Sequence, residues 1–121
     1  MTDVPIDRTA FDRLLDNAGG DLEFVSELVD QFLADTPELV AAARAGIELE
    51  DADEVRRAAH TLKSNAATFG ATRLAERSRV LEEAARTGSL ANGSSQVEEL
   101  EQELARVRAS LPAVWSERLR A

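Results

Sequence analysis

Apolar residues recur at three- and four-residue spacing along almost the whole chain, and nowhere do they alternate long enough to make a strand. Six helical segments follow from that period and its punctuation. The first covers about 7–17, with Ala10, Phe11, Leu14 and Leu15 on one stripe and Gly19-Gly20 ending it. A second, 21–34, sets Phe24, Val25, Leu28, Val29 and Phe32 at helical spacing. Thr36-Pro37 reads as a cap followed by proline at a first helical position, so a third segment is predicted over 37–49, with Leu39, Val40, Ala43 and Ile47 inward. The fourth, 52–69, opens on Asp51, which has capping-box spacing to Glu54, and ends at Gly70. A fifth, 72–86, turns Leu74, Ser78, Leu81 and Ala85 inward, and Thr87 to Ser94 is a loop. The sixth, 95–119, starts at Ser95 with Glu98 as its box partner and carries Val97, Leu100, Leu104, Val107, Leu111 and Val114. Pro112 should kink or restart it.

Amphipathic helices with short connections imply an all-α fold, an antiparallel four-helix bundle with the first two, shorter segments packed against it. At 121 residues the chain is one domain's worth. Composition strengthens the helical reading, since the chain is rich in Ala, Leu, Glu and Arg and has no Tyr. The absence of cysteine excludes disulfides and thiolate chemistry, and fits a reducing compartment. The N-terminal stretch Met1-Thr2-Asp3-Val4-Pro5 is acidic and lacks the apolar core of a secretory signal, so a cytoplasmic protein is expected.

A net charge of −9 argues against nucleic acid or an anionic membrane as partner. Its distribution is uneven. Residues 1–50 hold twelve acids and three bases, whereas 51–121 hold eleven of each. Within the neutral part, 56–81 carries Arg56, Arg57, Lys63, Arg73, Arg77 and Arg79 against Glu76 alone, and the single histidine lies inside it.

On the fourth segment Val55, Ala58, Ala59, Leu62, Ala66 and Phe69 form the core stripe. At about 100° per residue His60 lies nearly opposite Leu62, so its ring points to solvent. Its neighbours one turn away are Arg56, Arg57, Lys63 and Ser64, with Ala67 a turn further. Cations on that face favour a neutral ring and a dianionic phosphoryl group attached to it. Small residues at Ser64 and Ala67 let another protein approach. A lone exposed histidine is nevertheless more often a solvated polar residue than a functional one. The chain uses thirteen arginines and one lysine, and that lysine lies three residues from the histidine, where a compact point charge has a use.

The segment His60-Thr61-Leu62-Lys63-Ser64-Asn65-Ala66-Ala67-Thr68-Phe69-Gly70-Ala71, continuing through Leu74 to Leu81-Glu82, resembles the signature of histidine-containing phosphotransfer (HPt) domains. The stretch from Phe11 to Leu39 is similar to the start of such domains. The resemblance implies that His60 accepts a phosphoryl group from a receiver-domain aspartate and passes it to another, with Lys63 beside the phosphoryl group and Gly70 closing the active helix. It departs at Ser64, where the family usually has Gly, and at Asn65, where it often has Ser. Some members carry a glutamine on the next helix that orients the imidazole. Glu82 stands at that position, and an ionised carboxylate reaching the ring would oppose the cations. Arg56, Arg57, Ser64, Asn65, Ala67 and Glu82 are thus expected to face the phosphoryl group or the partner.

The expected partners are response-regulator receiver domains and a hybrid sensor kinase, with the protein itself a monomer. No cofactor is expected, because the Mg²⁺ of such a transfer belongs to the receiver and no carboxylate cluster here suits the ion. No Gly-rich nucleotide loop is present, so ATP-dependent kinase activity is not expected either. The rival reading is a non-catalytic HPt-like adaptor that binds a receiver or kinase without carrying phosphate.

Overall fold

Asp7, Asp21 and Asp51 each turn a carboxylate onto the backbone of the helix that follows. They accept from the amides of Thr9 at 3.0 Å, Phe24 at 3.0 Å and Glu54 at 3.2 Å. In the computed structural model, which describes residues 5–120, these caps open α1 (Arg8–Asn17), α2 (Leu22–Glu48) and α3 (Ala52–Thr68). Two more helices follow, α4 (Thr72–Arg86) and α5 (Gly93–Arg120), and no strand occurs among the described residues. Met1 to Val4 of the acidic N-terminal stretch lie outside them.

Five helices replace the six predicted. The segments 21–34 and 37–49 are one helix, and Thr36 is not a cap: it is buried, and its hydroxyl donates to the Phe32 carbonyl at 2.8 Å. Pro37 therefore lies inside α2. A helical proline has no N–H to offer the carbonyl four residues back, which here belongs to Leu33. The Arg108 guanidinium of α5 donates to that carbonyl instead. The orphaned acceptor is satisfied from a neighbouring helix, and α2 continues.

Pro112 likewise neither ends nor restarts α5, which runs through it to Arg120. The helix starts at Gly93 rather than Ser95, because Asn92 supplies the first carbonyl, accepting from the Gln96 amide at 3.0 Å. Gly93 is buried against Ile47, whose side chain would have to shift to admit a Cβ there.

Short connections make α2 to α5 successive antiparallel neighbours. α3 packs between α2 and α4, and α5 closes the ring against α4 and α2. The predicted stripes of α3, α4 and α5 are all buried in the common core. Phe24 is an exception: it is 47% exposed, and Val25 takes the core place.

Only one short N-terminal helix stands outside the bundle. α1 packs against α2 and α3 and also meets the end of α5. Phe11 and Trp115 lie edge to face at 6.0 Å, and Arg8 and Asp12 pair with Glu117 and Arg118.

Candidate functional site

The stripe that buries Leu62 and Ala66 leaves His60 on the outer surface of α3, its side chain 59% exposed. Across the tight turn at 69–71, the antiparallel register of α3 and α4 brings Glu82 opposite. One carboxylate oxygen of Glu82 lies 2.8 Å from His60 Nδ1, and the other accepts from Lys63 Nζ at 2.7 Å. Glu82 is the inner member of the trio, its side chain only 13% exposed against 35% for Lys63.

That geometry sets the charge. The hydrogen bond from Lys63, and then that from His60, hold the Glu82 carboxyl below the usual carboxylate range despite its partial burial. An ionised carboxylate can only accept. Nδ1 must then carry the hydrogen, which leaves the lone pair of a neutral ring on Nε2. In a neutral ring the lone pair thus lies on the nitrogen that does not face Glu82.

The other expected site residues divide. Arg56 is half-buried one turn before His60, and Arg57 is exposed there, bound to Glu54 at 3.1 Å. Ser64 and Ala67, both small, are exposed on α3 beyond it. Asn65 does not join the cluster. It lies on the flank of α3 toward α2, lining a shallow cleft of about 300 Å³ with Asp35, Glu38, Leu39 and Thr61.

Gly70 does more than follow the helix. Its φ is +76°, and the amides of Gly70 and Ala71 donate to the carbonyls of Ala67 and Ala66 at 3.2 and 2.8 Å, a left-handed close that satisfies the end of α3. Its own carbonyl accepts from the Asp7 amide at 2.6 Å. A Cβ there would stand 2.5 Å from the Asp7 carbonyl oxygen. No local signal in the sequence ties Asp7 to Gly70, and only the contact reveals it.

The basic stretch 56–81 is less positive than its composition. Arg73 and Arg77 pair with Glu103 and Glu99 of α5 at 3.4 and 3.1 Å, and Arg79 with Glu76 at 2.6 Å. The acids that offset it come largely from later in the chain, so a linear charge count misses them.

An exposed histidine fixed at mid-helix on a four-helix bundle defines a class of small phosphotransfer proteins. The Hpt domain family model matches residues 27–110, more than half of the chain, and the protein belongs to that family. Its function is accordingly that of a histidine phosphotransfer carrier in a two-component phosphorelay, working with response-regulator receivers. Among solved structures, histidine-containing phosphotransfer protein B (HptB) from Pseudomonas aeruginosa PAO1 is similar, with a TM-score of 0.82 and 28% identity over 99% of this chain and 99% of that one. No curated protein sequence gives a significant match. Among the described residues, no helix is long and apolar enough to cross a membrane.

Proposed function

We propose that His60 Nε2 is the phosphoryl acceptor, and that the protein relays phosphate from a hybrid sensor kinase system, or from one receiver aspartate, to another receiver aspartate. The observation that carries the assignment is the Nδ1···Glu82 contact at 2.8 Å, which leaves Nε2 free on the exposed edge of the only histidine in the chain. In the forward step the Nε2 lone pair forms the N–P bond as the acyl-phosphate O–P bond breaks, and the electron pair stays on the receiver's carboxylate. The reverse step returns the pair to Nε2. Lys63 lies one turn away, within reach of the attached group. Ser64 and Ala67 keep the approach open, and Arg56 adds positive charge to its edge. The Mg²⁺ that such a transfer uses belongs to the receiver, and the protein acts as a cytoplasmic monomer.

Incubation of the native chain and of His60→Gln with a phosphorylated receiver tests the assignment. The native protein should gain an acid-labile, base-stable label, and His60→Gln should gain none. A native chain that stays unlabelled while still binding the receiver would make it an adaptor.

A further inference from the structure

Half-buried arginines in this bundle are paired, with one exception. Arg44, Arg73, Arg77 and Arg118 reach Glu101, Glu103, Glu99 and Asp12. Arg56 is also half-buried, yet it has neither an ion pair nor a hydrogen bond among the described residues. Withdrawing a cation from water with no anion beside it costs free energy. The place therefore suits an anion that arrives from outside. The other cations on this face of α3 are already committed, Arg57 to Glu54 at 3.1 Å and Lys63 to Glu82 at 2.7 Å.

Arg56 stands one turn before His60 on the same side of α3. Side chains on a helix lean toward its N-terminus, so the ring of His60 leans over the turn that carries Arg56. Nδ1 faces Glu82, which leaves Nε2 as the nitrogen turned outward. We infer that Arg56 is a further binding residue for the reaction: its guanidinium closes on the phosphoryl group carried by His60 and stabilises the phosphorylated carrier. This rests on His60 being the acceptor, and it names the residue that meets the acquired charge.

An attached phosphoryl group brings a charge of about −1.5 to −2 and acceptor oxygens that no side chain of α3 offered before. A guanidinium can meet two of those oxygens with parallel N–H donors, whereas an ammonium acts as a point charge. Arg56 can turn to the group without breaking a bond. Arg57 and Lys63 would each have to loosen the acid they hold. Arg56 moves no proton and forms no covalent bond in this role; it lowers the free energy of the phosphorylated state. For a reversible transfer that is an effect on equilibrium. A residue that only docked the receiver would change the forward and reverse rates alike and leave the ratio of the separated products untouched.

The test mixes the full native chain, Arg56→Gln, Arg56→Lys or Arg13→Gln with an equal amount of phosphorylated receiver, dilute enough that little complex persists. Phosphohistidine is measured against phosphoaspartate once the two directions of transfer balance. Arg56→Gln should move the ratio toward the receiver by about three- to tenfold, with circular dichroism and denaturant unfolding close to native. Arg56→Lys keeps the charge without the fork and should move it by less. Arg13 is exposed on α1, and Arg13→Gln, which removes the same charge at a distance, should leave the ratio within about twofold. In the native chain the Arg56 guanidinium signal, read by nitrogen NMR, should shift when His60 is phosphorylated. A native ratio in Arg56→Gln would overturn the inference even if transfer were slower, because the arginine would then serve docking or packing. Equal shifts from Arg56→Gln and Arg13→Gln would overturn it too, by reducing the effect to net charge. A native chain that takes up no label at all counts instead against His60 as acceptor, and that result is read before any ratio.

Discussion

Glu82 is the residue whose contacts say most about the site, and in the sequence only the family resemblance points to it. That His60 faces solvent follows from helical period alone, because its own helix buries Leu62 on the other side. That Glu82 meets both His60 and Lys63 depends on the register between two helices. The short connection at 69–71 makes that register inferable but does not state it. Asn65 is adjacent to the site in the motif, but helical rotation takes it to the α2 flank of α3. Glu82 also makes stability depend on pH. Its carboxyl is held below the ordinary range by Lys63 and then His60, so the folded-state pKa lies below the unfolded one. The contribution is therefore full above roughly pH 4.3, the ordinary Glu value, and is lost as pH falls through the lowered pKa. Glu82→Gln should remove about 1 kcal/mol or less of stability at neutral pH and flatten the acid limb, as read by denaturant unfolding at several pH values.

At the scale of the helix, Pro37 carries the lesson. Thr36-Pro37 has the local chemistry of a helix start, and the chain nevertheless continues because Arg108 supplies the donor that proline lacks. Local propensity favours a helix start there, and a contact between distant segments overrides it. The stripes of α3, α4 and α5 needed no such information, and their predicted residues are all buried. Arg108→Met should cost about 1 kcal/mol in denaturant unfolding, the usual worth of an intramolecular hydrogen bond. In a Pro37→Ala background the helix regains its own N–H, and the same substitution should be nearly silent. Equal costs in both backgrounds would show that Arg108 stabilises the bundle by some other contact.

For the molecule as a whole, the bundle was legible and its attachment to α1 was not. Short loops and amphipathic stripes imply four packed helices, but nothing local says that Asp7 will hydrogen-bond to Gly70. Gly70→Ala should destabilise the domain by about 2 kcal/mol or more, since it forces a side chain into left-handed backbone and against the Asp7 carbonyl. Hydrogen exchange at the Asp7 amide should rise together with the loss of stability. An unchanged Asp7 amide would mean that the α1 junction survives without this contact.

The packing of α1 on the end of α5 also governs how the domain could be joined to other things. Phe11 against Trp115, and Arg8 beside Glu117, bring the two described ends of the chain to one pole of the bundle. His60 stands near the equator, ten residues along α3 from Gly70, about 15 Å at the helical rise. A tether, a surface attachment or a linker closing the ends into a permuted chain would all leave from that pole, with the exposed His60 ring facing sideways.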